Sequence, residues 1–236
     1  MPGDPPSRQT SNQILARLSQ SDFDLLAPDL EMLDLPGRKR LEIRHKPIDY
    51  VYFIESGFAS VVADGTGDRS IEAGLVGREG VTGLAVIRAT DRSPLETYMQ
   101  LGGGGQRLAA AKLRDGMEAS VTLRRALLNY GHAFYVQTAH TALANGRSKL
   151  EDRLSRWLLM AHDRIDGDAL TLTHELLAIM LGVRRPGVTI ALNLLEARGF
   201  IRTHRGVISI VDRKGLEENA NGAYGAPEAE FQRLFG

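Results

Sequence analysis

From Ser120 to Asp166 the chain contains no proline, and its apolar residues recur three and four apart: Leu123, Leu127, Tyr130 and Phe134, then Leu143, Leu150, Leu154, Trp157 and Leu158. Proline in a helix interior removes a hydrogen bond and clashes with the preceding turn, so this stretch is suited to long helices. The Asn145-Gly146 pair divides it in two. A first helix of about 25 residues extends near 38 Å at 1.5 Å per residue, longer than a small barrel needs for cover. Its stripe of Leu123, Leu127, Tyr130 and Phe134 has two readings. It forms a seam between two copies of the helix, or it packs on the chain's own barrel.

The period is different on the N-terminal side. Between Gly37 and Leu113 the runs RKRLEIRH, DYVYFIE, FASVVAD and TYMQLG are short, β-prone and punctuated by Gly, Asp and Pro, which predicts an antiparallel barrel or sandwich. Residues 13–35 have helical spacing and predict two short helices, with Ser21 or Asp22 capping the second. The polar, Pro-rich residues 1–12 read as a mobile tail. The run Gly102 to Gly105 lacks the Lys-Ser or Lys-Thr of a phosphate loop, and is expected to form a hairpin turn.

Composition narrows the function. The 236 residues are 43% hydrophobic and 25% charged, a globular mix sufficient for one large domain or two modest ones. Absence of cysteine excludes disulfides, thiolate zinc sites, cysteine-ligated iron–sulfur clusters and a cysteine nucleophile, and it fits a reducing cytoplasm. No apolar run approaches the roughly 20 residues that span a bilayer, so no membrane partner is expected. No paired carboxylates, metal-ligand spacing, nucleophile elbow or Ser/His/Asp cluster emerges, so neither catalytic residues nor a metal site are predicted.

Lys plus Arg and Asp plus Glu each number 29, but the charge is unevenly placed. Residues 171–214 hold seven Lys or Arg against three acids, a surplus of four positive charges. In this segment Thr173 precedes HELLAIML as a helix cap, Gly182 makes a turn, and a second helix starts near Arg185 with Pro186 in its first turn. Two β-prone runs, Phe200–Thr203 and Val207–Val211, follow and form a hairpin wing. Helix, short turn, helix and wing is the layout that places a helix in a DNA major groove. Arg184, Arg185, Thr189 and Asn193 fall on the exposed start and face of that helix, where Arg reads guanine and Asn reads adenine. Thr173, Arg202, His204 and Arg205 are placed to hold phosphates.

A β-rich N-terminal part, a long helix and the stretch THELLAIMLGVRRPGVTIALNLLEARGFI together resemble the Crp/Fnr superfamily of bacterial transcription regulators. The resemblance covers about residues 14–214. It implies an α+β fold: an antiparallel, cyclic-nucleotide-binding-like β-roll, a long dimerisation helix and a winged helix-turn-helix. It implies homodimers through the long helix, double-stranded DNA and RNA polymerase as partners, and regulation by a small molecule. Arg185 matches the family's base-reading arginine. Pro186 stands where an acid often follows, and Ile190 where a second arginine falls, so no operator sequence carries over. The family's phosphate cassette is matched by Gly77, Glu79, Arg92 and Ser93, with Thr138 on the long helix. Arg78 intrudes between Gly77 and Glu79, Pro94 replaces a small residue, and Ala139 stands where a serine is usual. A cyclic nucleotide is therefore a candidate effector but not the favoured one, and haem through His45 or His132 is a further candidate.

The expected organisation is a tail at 1–12, a sensor roll at 13–118, a dimerisation helix at 119–145, the winged helix-turn-helix at 146–220 and a C-terminal tail at 221–236. The competing reading is a ligand-binding regulatory subunit that acts through a protein partner and not through DNA.

Overall fold

A computed structural model describes residues 10–65 and 70–236. Residues 1–9 of the expected tail lie outside the described residues; Thr10 to Asn12 do not behave as a tail. The Asn12 side-chain oxygen accepts from the Ile14 and Leu15 amides at 3.1 Å, capping helix α1 (Gln13–Arg17). Its amide nitrogen donates to the Ile54 and Gly80 carbonyls at 2.9 and 2.8 Å, which fastens the chain start to the roll. Helix α2 (Gln20–Leu26) is capped by Ser19, not by Ser21 or Asp22, and ends in a 3-10 turn at Ala27–Asp29.

The expected helical character of 13–35 stops there, because residues 31–35 enter a sheet as β1 (Glu31–Leu35), with Leu33 and Leu35 turned inward and Met32 and Asp34 exposed. There follow β2 (Arg40–Glu42), β3 (Tyr50–Ile54), β4 (Phe58–Asp64), β5 (Ser70–Val76), the short helix α3 (Leu84–Ile87), β6 (Glu96–Leu101) and β7 (Gly103–Ala109). They pair antiparallel in two sheets, ordered β1-β7-β3 and β2-β6-β4-β5, which enclose Leu35, Leu41, Ile54, Val61, Val76 and Met99. The glycine run is not a hairpin turn. β6 and β7 belong to different sheets, and Gly103 to Gly105 lie within β7. A Cβ on Gly103 would lie 2.0 Å from the Ser56 carbonyl oxygen, and one on Gly105 2.7 Å from that of Phe53. Close backbone approach is what these glycines permit.

Helix α4 (Ala110–Ala119) leads to α5 (Val121–Arg147), capped by Ser120, and α6 (Leu150–His162) follows. The break falls at Ser148-Lys149 and not at Asn145-Gly146, because a single glycine weakens a helix without ending it. Leu123 and Leu127 are fully buried, and Tyr130 and Phe134 are 2% and 6% exposed, all against the chain's own helices and roll. This overturns their reading as a dimer seam. The outer face of α5 instead exposes Val121 (60%), Leu128 (48%), Tyr135 (61%) and Leu143 (57%).

The C-terminal part contains β8 (Ala169–Thr171), α7 (His174–Leu181), α8 (Arg185–Ala197), β9 (Ile201–His204), β10 (Val207–Ile210) and α9 (Arg213–Asn219). Residues 221–236 are not a tail, for they carry α10 (Ala226–Phe235), which packs on α5. Glu228 caps its start by accepting from the Gly225 amide at 2.9 Å, and Phe231 and Phe235 stack at 4.7 Å.

One continuous core cluster joins the roll to the C-terminal part, with Phe58 and Trp157 edge to face at 6.3 Å. Buried inside it, Glu72 of β5 accepts from Ser60 Oγ at 2.6 Å and from Trp157 Nε1 at 2.8 Å. Burial pushes its carboxyl up to about 7. In the unfolded chain the same group ionises near 4.5, so its contribution to stability is complete below that pH and is lost as pH rises toward 7. Glu72→Gln therefore flattens the fall in stability between pH 4.5 and 7, which denaturant midpoints at pH 5 and pH 8 compare directly with the parent.

Candidate nucleic-acid interface

Thr173 caps α7 by accepting from the Leu176 amide at 3.2 Å, and the helix buries Leu177, Met180 and Leu181. Gly182 ends it in the left-handed region, at φ 61°. A Cβ there would come 2.8 Å from Ile71 Cδ1, so the turn between the two helices rests on strand β5 of the roll. Arg184 then starts α8 through its backbone, its carbonyl accepting from the Gly187 amide at 2.9 Å, with Pro186 in the first turn where no amide partner is lost.

Helix α8 buries Val188, Ala191, Leu192 and Leu195. Its opposite face exposes Arg184, Arg185, Ile190, Asn193 and Leu194. Among the described residues the Arg184 side chain makes no hydrogen bond or ion pair. Arg185 is paired with Glu175 of α7 at 3.0 Å, both largely exposed, a contact that solvent screens and that a stronger partner displaces. Asn193 is exposed. Thr189 is the exception among the expected readers: half-buried, it lies 2.9 Å from His174 Nδ1 and donates to the Arg185 carbonyl at 3.3 Å. That contact between the two helices was not legible from spacing.

Strands β9 and β10 form the expected wing, and β8 adds a third strand through Val207 opposite Thr171. Arg205 and Gly206 close the hairpin with φ 46° and 80°, the positive pair that a tight two-residue turn demands. Arg202, His204 and Arg205 are exposed. Glu196 of α8 accepts from the Thr203 amide at 2.7 Å and hydroxyl at 2.8 Å, which ties the wing to α8. Those bonds hold the Glu196 carboxyl below its usual range.

Sequence reasoning also passed over Ile190, 61% exposed in the middle of the outward face. Its position four after Pro186 and four before Leu194 places it on that face.

Of the expected effector residues Gly77 and Glu79 meet, while Arg92, Ser93 and Thr138 bond elsewhere. Gly77 donates its amide to Glu79 at 3.1 Å, and Glu79 pairs with Arg164 at 2.7 Å. Arg92 pairs with its neighbour Asp91 at 3.0 Å in solvent, Ser93 Oγ accepts from the Leu95 amide, and the Thr138 hydroxyl donates to the Phe134 carbonyl of its own helix. Within the roll, buried Glu42 accepts from the Gly83 amide at 2.8 Å, and burial pushes its carboxyl up. His45 lies on an exposed turn, and His132 lies 3.0 Å from Glu230. Among the described residues no group of three or more His, Cys, Asp or Glu is placed to hold a metal ion, and no helix is long and apolar enough to cross a membrane.

Residues 152–219 match the family described as a Crp-like helix-turn-helix domain. This part of the chain is similar to Crp-like helix-turn-helix domains, and the whole shares the fold of a regulator of the crp/fnr family from Eubacterium rectale, which superposes with a TM-score of 0.69 at 17% identity over 87% of this chain and 96% of its own. FixK2 from Bradyrhizobium japonicum superposes with a TM-score of 0.70 at 16% identity, over 80% of this chain and 96% of its own. TTHB099, a CRP-family transcriptional regulator from Thermus thermophilus, gives 0.66 at 19% identity over 82% and 99%. The c-di-GMP responsive regulator CLP of Xanthomonas campestris gives 0.62 at 17% identity over 81% and 99%. At these identities the likeness is one of fold. No curated protein matches the sequence at a significant level.

The turn of the Crp-like domain supplies a test of its seating. Gly182→Ala places a side chain in the left-handed region and against Ile71, and is expected to lower stability by about 1–2 kcal/mol in denaturant titration.

Proposed function

We propose that the protein is a sequence-specific DNA-binding transcription regulator that works as a homodimer in the cytoplasm, with the roll as a small-molecule sensor and RNA polymerase as its downstream partner. The observation that carries this reading is the outward face of α8. Arg184, Arg185 and Asn193 stand exposed beside the cationic wing residues Arg202, His204 and Arg205, in a domain of Crp-like type. Phosphate contacts from the wing set register, and α8 enters the major groove.

The outer stripe of α5 supports the dimer. Val121, Leu128 and Tyr135 recur every seven residues, the period at which two helices pack side by side. Two recognition helices would then face successive major grooves about 34 Å apart. Leu128→Asp is expected to give a monomer in sedimentation and to weaken DNA binding.

The roll supports an effector other than a cyclic nucleotide. Buried Glu42 takes the Gly83 amide within the roll, and Phe134 packs into the cluster inside the sheets. Arg92, exposed and paired with Asp91, does not turn toward Glu79.

In the groove, exposed Ile190 is suited to the C5 methyl of thymine, the apolar mark that the major groove carries. A binding site is first selected from random duplexes with the full-length protein. Arg184→Ala with Arg185→Ala is expected to abolish the shift, and Arg205→Ala to lower the salt slope by about one unit. Replacing the contacted thymine by uracil is expected to weaken binding about fourfold, from roughly 0.8 kcal/mol per buried methyl, and to have no effect on Ile190→Ala.

The same apolar residues, Ile179, Ile190 and Leu194, favour the second reading, in which this domain contacts a protein partner. Failure to select any duplex sequence would favour that reading over DNA.

A further inference from the structure

We propose that the chain binds a small amphipathic amine in a cavity outside the roll, between α5, the end of α6 and α10. The cavity holds about 350 Å3, within the range of small-molecule sites. Ala133, Pro227 and Phe231 supply apolar wall beside the largely buried Tyr130 and Phe134. Its charged lining is Glu79, Asp163 and Glu228 with the single cation Arg164; Asp163 is paired with Arg213 and accepts from the Tyr224 hydroxyl, each at 2.8 Å, which leaves Glu79 and Glu228 as the acids with a spare oxygen.

Arg164 is committed. Its Nε and Nη2 reach Glu79 Oε1 at 2.9 and 2.7 Å, and its Nη1 donates to the Met160 carbonyl at 2.5 Å. An anion entering the cavity finds no uncommitted cationic donor there. A cation finds acceptors, because Glu79 uses only Oε1 in its described bonds, and Glu228 is held at one oxygen by the Gly225 amide. Tyr130 is 2% exposed, yet among the described residues its hydroxyl makes no well-formed hydrogen bond, only a loose approach to the Val81 backbone. Buried polar groups are rarely left unpaired; the hydroxyl lies against Gly80, where a Cβ would stand 2.3 Å from it, while Tyr130 as a residue borders the cavity. Aromatic faces beside carboxylates also attract an ammonium through the ring quadrupole.

The position gives the ligand leverage. Glu79 belongs to the loop after β5, and Arg164 follows α6, so their ion pair crosses from the roll to the Crp-like domain. An ammonium at Glu79 competes with Arg164 for that carboxylate and loosens the tie. Helix α10 forms the outer wall, held at its ends by Arg17 Nε donating to the Phe235 carbonyl at 3.0 Å and by the Gly225 cap.

The test titrates the full-length protein with tryptamine by calorimetry, without DNA. Saturable binding of one molecule per chain is expected, with at least tenfold weaker binding of indole-3-propionate, which keeps the ring and reverses the charge. Glu79→Gln and Phe231→Ala are each expected to weaken tryptamine at least tenfold. Ala133→Leu fills the cavity and leaves the Glu79–Arg164 pair in place, so it is expected to abolish binding while the melting temperature is kept. No saturable tryptamine binding, equal binding of the acid, or undiminished binding by Ala133→Leu would each overturn the proposal. Because no DNA is present, these results stand apart from the DNA-binding reading.

Discussion

Burial of the inner face of α5 against its own chain is the constraint on which the other features rest. Leu123, Leu127, Tyr130 and Phe134 are withdrawn from water, at roughly 1.5–3 kcal/mol for each large apolar side chain before the entropy of ordering is subtracted. That burial sets the helix's rotation about its axis. It turns Val121, Leu128, Tyr135 and Leu143 outward, sends Phe134 into the roll, and leaves the groove that α10 covers.

A separate apolar cluster makes one body of the roll and the C-terminal part. Phe58, Val62 and Leu75 of the roll share a cluster with Trp157, Leu158 and Met180 of the C-terminal part. Polar groups cross the same boundary in pairs: Glu72 with Trp157, Glu79 with Arg164, Gln137 with the Leu75 backbone. Apolar contact supplies most of the adhesion. The directional bonds choose one arrangement among the many that greasy surfaces alone would tolerate.

Much of the recognition domain could be read directly. Thr173, Gly182 and Pro186 are local signals, each satisfied by backbone geometry within a few residues, and they mark α7, the turn and α8 to within one position. The wing was equally legible, since Arg205-Gly206 is a turn by its own conformational preferences. The side chains on that domain were less so. Thr189 was expected to face DNA and is half engaged by His174, fifteen positions away in sequence but adjacent across the two helices. The effector residues were least legible: a match of Gly77, Glu79, Arg92 and Ser93 to a motif says nothing about Arg164, which arrives from another module to claim Glu79.

Periodicity and breakers, then, determined the kinds and order of elements: short strands, a long proline-free helix, and a basic helix-turn-helix with a wing. They did so because period and backbone preference act within a few residues. Which stripe of α5 meets the roll, that the glycine run is a strand, and that residues 226–235 return as a helix were decided only by tertiary structure. Those outcomes depend on which distant surfaces exclude water together, and a helix with apolar residues on both faces carries no local mark of which face wins.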